Sequence, residues 1–579
     1  MGRKYNKRIK QKSFFFEDYT ESQIEYDNNL KNLIKVPKNR IVFLFFLFTS
    51  FIFIFSIKIF YLSLFPEINI YSKKNNMNFI KTRGDIVDRK GVILARNIDV
   101  YQAGIRPKFI KDKKKFILNL RLNFPELDTK EIEKKINKKK FFYLGNRRFT
   151  EEERDRLWSL GLSNKVLDIQ KKQYRVYPQK NLFSHILGQT DEDNVGISGI
   201  ENFFDNRLKN KELINYPLEL SLDSSLQHLV REELISFQSH FKYKGSAALL
   251  MDVENGEILS LISLPDYDLN KRISIKDDIY TNKITLGVYE LGSVFKTFTI
   301  AAGIENGIIN SDTVFKNLEN KLRCGRFTIT EHDELPKDLT TEQILVRSSN
   351  IGAVRIAQKV GVEKYKSFLN SLELLNTINF DLNEIGTPIE LKWGKCRLIT
   401  SSYGHGITTT PLQLAKAYAI LSNGGYKIQP SILKVKKNYV EKKQRIVSEK
   451  TSKEMNIMLR KVVNLSEGTA NFANVDGYQV AGKTGTSLKY NSKAKLNTFI
   501  SLFPANRPKY VLLVMLDEPK PAPEFVYEFP PSEKFPKGYK HKGENRNTSG
   551  WNTVVVAGKI IEKIGPILAI NNLQASKNF

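Results

Sequence analysis

Cysteine is nearly missing from this sequence. Only Cys324 and Cys396 occur in 579 residues, too few for a disulfide framework or a zinc cluster. Whether they pair is not legible from the sequence. Histidine is scarce as well, with six residues scattered without metal-ligand spacing, so no metal site is expected. Acidic residues are outnumbered, 62 against 91 Lys and Arg, for a net charge of +29. Such an excess invites nucleic acid. The lysines, however, run along the whole chain without an aromatic-interleaved basic motif, so the charge is read as attraction to anionic surfaces such as membranes, and nucleic acid is not expected as a partner. No alanine occurs before Ala95, which removes the small-residue cleavage site of a secretory signal. Internal repeats and long low-complexity runs are missing too.

What is present begins with one long apolar run. Ile41 to Ile57 reads IVFLFFLFTSFIFIFSI, without a charge. As a helix it covers about 26 Å, and continuing through Lys58 to Phe65 makes it long enough to cross a bilayer. It is apolar all round, unlike a surface helix. Ten basic residues precede it, from Arg3 and Lys4 to Lys38 and Arg40. The positive-inside bias therefore puts residues 1–40 in the cytoplasm, 41–65 in the membrane and the rest outside. The exterior divides by texture into a segment of mixed short elements, 66–217, a second domain, 218–570, and a tail, 571–579. In the first, RGDIVDRKGVILARN reads as strand, turn and strand, and KKFILNLRLNFPELDTKEIEKKINKKKFF as solvated helix. In the second, LELSLD reads as a strand, SSLQHLVREELISFQ as a helix, and GSAALLMDVENGEILSLISLP as a hairpin turning at Glu254-Asn255-Gly256.

The stretch GYQVAGKTGTS, Gly477 to Ser487, matches two incompatible patterns. Gly477-x-x-x-x-Gly482-Lys483-Thr484 is the nucleotide-binding P-loop, but a P-loop follows a buried strand and opens a helix. Here a loop precedes, and Gly485 stands where the helix would start. Three successive strands fit better: YQVAGKTGT, LNTFISLFPA and YVLLVMLDEP, an antiparallel meander with short turn-rich links. Lys483-Thr484-Gly485 then lies on a strand.

Two further spacings carry chemistry. Ser293 opens an apolar helix and Lys296 follows one turn later on the same face. A neutral lysine there is able to take the proton of a serine that ionises poorly by itself. Lysine is ordinarily charged at pH 7, so burial or a neighbouring cation has to lower its pKa. Ser-x-x-Lys alone is cheap, recurring at Ser431/Lys434 and Ser492/Lys495. So is Ser-x-Asn, which occurs at Ser348/Asn350 and again at Ser576/Asn578. Ser348 or Asn350 also reads as a helix N-cap before IGAVRIAQKV. The weight comes from order and context: helix start, inter-helix loop, strand.

On these residues, together with RGDIVDRKG, YRVYP, GISGIENFFDNRL, RSSNIGA, YGHGITTTPLQLAKAYAILSNGG and VMLDEP, the chain resembles a class B penicillin-binding protein. It is most similar to the cell-division (FtsI) family of peptidoglycan D,D-transpeptidases. The resemblance implies an α+β fold: a transpeptidase domain of the penicillin-binding/serine β-lactamase type, an antiparallel sheet flanked by helices, carried on an elongated pedestal with one transmembrane helix. It implies Ser293 as acyl-enzyme nucleophile, Lys296 as its base, Ser348 as proton relay and Asn350 as a holder of the stem-peptide amide. Lys483, Thr484 and Thr486 would receive the terminal carboxylate, and the strand through Gly485 would pair with the substrate backbone. The N–H groups of Ser293 and Thr486 would form the oxyanion hole. Stem peptides ending in D-Ala-D-Ala, β-lactams as inhibitors, the membrane, a membrane glycosyltransferase and other division proteins are the implied partners, and no cofactor is needed. The implied location is the bacterial inner membrane, single-pass, with the catalytic domain periplasmic. Leu291 replaces a proline common in the family, and GWNTVVVAGKIIEKI replaces a more alanine-rich ending. An elongation-specific paralogue, a β-lactamase or carboxypeptidase, and a non-catalytic β-lactam-binding scaffold are the other readings.

Overall fold

The structure, a computed structural model, describes residues 30–64, 82–144, 148–271, 278–325, 327–390, 392–435, 444–529 and 537–577. The basic tail expected before Leu30 lies outside them. Two units separate, residues 1–80 and 81–579. In the first, a helix runs Leu30–Leu64 and contains a membrane-length apolar stretch, Val42–Ile59, with its side chains exposed all round. A helix with no polar face buries nothing in water, which suits a lipid surrounding.

The second unit starts with a small sheet. Strand Ile86–Val87, the expected Asp-Arg-Lys-Gly turn and strand Ile93–Ile105 follow one another. Leu167–Val176 pairs antiparallel along Ile93–Ile105, from Arg96↔Val176 to Ile105↔Leu167. Helices Lys113–Asn123, Thr129–Asn137 and Glu151–Ser159 accompany this ribbon. Phe116, Leu120, Phe124, Ile132, Phe149 and Leu157 close a separate core there. The same unit holds a buried charge cluster. Arg83 and Arg175 each donate through Nε to Glu201, at 2.6 Å on opposite carboxylate oxygens, and Arg83 reaches Asp205 at 2.6 Å. Three segments distant in sequence, RGDIVDRKG, YRVYP and GISGIENFF, thus meet at one carboxylate.

The expected LELSLD strand is shorter than its pattern. Only Leu218–Glu219 is extended, paired parallel with Ile86–Val87. Leu220 N–H still reaches Val87 O at 2.9 Å, but Ser221 N–H donates instead to Ile432 O at 2.8 Å, so the chain leaves the sheet after two register pairs. Asp223 then caps helix Ser224–Phe241, and Asp88 accepts from the Ser224 hydroxyl at 2.7 Å.

The larger sheet has five antiparallel strands in the order Ala481–Leu488, Lys495–Phe503, Tyr510–Asp517, Gly245–Asp252, Ile258–Leu264. The meander and the hairpin form as their patterns predict. The central strands are buried along nearly their whole length, which is why they read as continuous apolar runs rather than alternating ones. Ala481–Leu488 lies at the edge of the sheet, and no helix opens after Lys483, so the P-loop reading fails. The final helix, Thr553–Lys577, runs on past position 570.

Cys324 and Cys396 form a disulfide, Cα to Cα 5.6 Å. It ties the hairpin of Lys321–Cys324 and Phe327–Thr330 to helix Lys395–Ser401. The bridge spans 72 positions of sequence, a loop whose closure restricts the unfolded chain strongly. Cys324→Ser is expected to lower stability by about 2–4 kcal/mol, read as a lower urea midpoint of the full chain. An unchanged midpoint would show the bridge to be inert.

Candidate active site

Ser293 stands in a tight 3₁₀ turn, Gly292–Phe295, that leads into helix Lys296–Glu305. The turn is possible because Gly292 adopts φ +65°. A Cβ there would also lie 2.6 Å from Thr486 O, so the glycine lets the turn press against the edge strand. Gly404 packs on its other side, where a Cβ would fall 1.9 Å from Gly292 O. The helix behind is buried on every face, and that buries Lys296 completely. Its amine donates to Ser348 Oγ at 3.1 Å and to the Ser348 carbonyl. Among the described residues its hydrogen bonds go to Ser348 and not to the Ser293 hydroxyl one turn away.

Ser348 itself is strained, with φ +59°, a conformation a non-glycine residue holds only when its surroundings impose it. Its hydroxyl accepts from Lys296 and, at 3.0 Å, from Lys483. The helix cap falls on the residue between the two singled out in sequence. Ser349 accepts from Gly352 N–H at 2.9 Å, and the helix runs Asn350–Val360. Asn350 donates through Nδ2 to Thr330 O at 2.8 Å, leaving its carbonyl oxygen for other partners. Glu331 was not foreseen. It follows the disulfide-tied hairpin directly and accepts from Ser349 Oγ at 2.7 Å, Asn350 N–H at 2.7 Å and Ile351 N–H at 2.9 Å. Nothing in TEHDELP marks this glutamate, because its partners lie about twenty residues on.

Lys483 is fully buried on the edge strand, within 3.3 Å of Thr484 Oγ1, which in turn meets Thr469 Oγ1 at 3.0 Å. At the hairpin turn Lys489 N–H donates to Ala494 O. Antiparallel bonding alternates along the register Thr486↔Asn497, Gly485↔Thr498, Thr484↔Phe499. The N–H groups of Ser487, Gly485 and Lys483 therefore face the neighbouring strand, and those of Thr486 and Thr484 face the open edge. Thr486 N–H thus looks toward the Ser293 turn, while its hydroxyl accepts from Ser549 N–H at 3.1 Å. Gly485 also meets a close neighbour within the protein. A Cβ there would lie 2.2 Å from Leu291 O, so the glycine admits the protein's own serine turn.

Two amines sharing one hydroxyl cannot both stay charged out of water. Burial pushes Lys296 down to about 7, with Glu331 opposing the fall. Burial, and then the charge of Lys296, holds Lys483 well below the usual lysine range. The pair titrates as a unit. Beside the turn, Glu290 pairs with His405 at 3.2 Å, which holds the imidazole above its ordinary pKa. The eight residues singled out thus fall on three elements that converge: the serine turn and its helix, the Ser348–Asn350 turn, and the edge strand. No group of metal-ligating side chains occurs among the described residues.

A serine turn and two buried amines thus meet at the edge strand of the sheet. Residues 246–528 match the penicillin-binding protein transpeptidase domain, and residues 81–217 match the penicillin-binding protein dimerisation domain. A Caulobacter vibrioides protein named probable peptidoglycan D,D-transpeptidase FtsI is 31% identical over 504 residues, covering 84% of this chain and 82% of that one. The Buchnera aphidicola (subsp. Baizongia pistaciae) peptidoglycan D,D-transpeptidase FtsI is 30% identical over 503 residues, 77% of this chain and 85% of that one. The crystal structure of penicillin-binding protein 3 from Mycobacterium tuberculosis shares the fold, with a TM-score of 0.61 at 22% identity over 85% of this chain and 96% of that one. The chain belongs to the class B penicillin-binding proteins.

Proposed function

We propose that this protein is a membrane-anchored serine D,D-transpeptidase that crosslinks peptidoglycan stem peptides during septal wall synthesis. The observation that carries this reading is the Ser348 hydroxyl held between Lys296 at 3.1 Å and Lys483 at 3.0 Å, beside the Ser293 turn. Neutral Lys296 takes the proton of Ser293 as the oxygen attacks the D-Ala-D-Ala amide. The developing oxyanion sits against the N–H of Ser293 and the edge-facing N–H of Thr486. Ser348 passes the proton to the departing D-alanine amine, and an ester remains on Ser293. The amine of a second stem attacks that ester, forming the new amide and returning the proton to the serine oxygen. A terminal carboxylate at Lys483, Thr484 and Thr486 favours charged Lys483, and that charge keeps Lys296 neutral for its task. Asn350 orients the stem amide. A β-lactam acylates Ser293 and stays, because no leaving group departs to admit the acceptor.

In this reading residues 1–40 are cytoplasmic, 41–65 anchor the chain, and 66–217 lift the catalytic domain, 218–570, into the periplasm. A membrane glycosyltransferase and other division proteins dock along the anchor and pedestal. The test is labelling of the full chain with a fluorescent penicillin and mass mapping of the adduct. The label is expected on Ser293 and lost in Ser293→Ala. A label on another residue would overturn the site.

A further inference from the structure

Glu331 has more bonds to the Ser348–Asn350 turn than a helix cap needs. Ser349 already supplies the capping oxygen, to Gly352 N–H at 2.9 Å. Glu331 adds a second, charged acceptor that takes the Ser349 hydroxyl and the first two N–H groups of the helix. Its place is set from both sides. Thr330, the residue before it, accepts from Asn350 Nδ2 at 2.8 Å, and the hairpin that ends there is tied by Cys324 to Cys396. The turn it grips contains Ser348 at φ +59°, a conformation that springs back without a restraint.

We propose, on the transpeptidase reading, that Glu331 is a positioning residue for the reaction: one carboxylate holds the Ser348 turn so that its hydroxyl lies between the two amines, and places negative charge on the side of Lys296. It touches neither substrate nor nucleophile and acts through Ser348 and Lys296. The charged and titratable groups that bear on Lys296 are few. Lys483 faces it from the edge strand and Glu331 from the end of the hairpin, with His332 and Asp333 following Glu331 at the surface. Burial drives the Lys296 proton off and Glu331 opposes it, while the charge of Lys296 in turn bears on Lys483. Without that carboxylate the amine is a weaker base that loses its proton at lower pH.

The test is the pH profile of acylation of the full chain in detergent by a fluorescent penicillin, from about pH 5 to about pH 9, with melting temperatures alongside. Glu331→Gln is expected to slow acylation on the order of tenfold or more on the plateau and to move the acid limb to lower pH. A residue that only capped the helix would lower the rate and the melting temperature and leave the limb in place, and that outcome overturns the proposal. Glu331→Asp keeps the charge but withdraws it by one methylene, so the limb is expected to stay while the plateau falls. If the glutamine variant does not fold, the aspartate variant decides, and a wild-type plateau there overturns the proposal. Failure of the wild-type chain to acylate at Ser293 is a different result, one that removes the transpeptidase reading itself.

Discussion

Lys296→Ala is expected to lower the rate of acylation by penicillin by roughly 10²–10⁴-fold, the span of a general base, without lowering the melting temperature. The first half follows from position. Lys296 is the buried amine one turn after the serine, and its pKa of about 7 leaves a large neutral fraction where lysine is ordinarily charged. The second half follows from the same burial. At acid pH the folded protein keeps an ammonium out of water, at a cost that alanine removes. The sign of the pH dependence is fixed by this depressed value. From about pH 7 up to the unfolded lysine value near 10.4, the unfolded chain holds a proton that the folded chain has shed. Stability contributed by this group therefore rises with pH across that window and is lowest below it. Wild-type acylation is expected to climb through an acid limb near pH 7. A Lys296→Ala protein that acylates within tenfold of wild type would remove the base from this mechanism.

Glu201→Ala is expected to destabilise the 81–579 unit by roughly 3–5 kcal/mol, the cost of breaking a buried ion pair from one side. Glu201 is fully buried, and each of its oxygens receives a guanidinium, Arg83 and Arg175, themselves buried. Arg83 keeps Asp205 as a partner. Among the described residues Arg175 keeps only neutral acceptors, chiefly Gly84 O at 2.8 Å, so it carries most of the penalty. The loss is read as a shift in the urea unfolding curve of the full chain. A change below about 1 kcal/mol would mean that water reaches the site and the two arginines need no carboxylate. The Glu201 carboxylate bonds Arg83 and Arg175 rather than the serine turn, the Ser348–Asn350 turn or the edge strand, so acylation of the surviving folded protein at low temperature is expected to be unimpaired.

The parts of the site that depend on short spacing were legible early. Ser293 and Lys296 share a helix start, and Lys483, Thr484, Gly485 and Thr486 share a strand, because local periodicity fixes which side chains fall together. The meander and the hairpin were visible for the same reason, in apolar runs bounded by turn residues. LELSLD shows the limit. Its pattern suits a strand, but pairing needs a partner, and after Leu220 the backbone finds Ile432 instead.

Sequence alone determined the membrane-length helix, the two textures of the exterior, and the three motifs whose order points to acyl transfer. Each rests on near-neighbour covalent geometry or composition. Only the tertiary structure decided that Ser348 bridges both amines, that Ser349 is the cap, that Gly485 yields to Leu291, that Cys324 joins Cys396, and that Glu331 grips the turn. Those contacts join residues separated by tens to hundreds of positions. They exist because burial of the shared core brings the chain segments together, and no local pattern encodes which polar groups will then face each other.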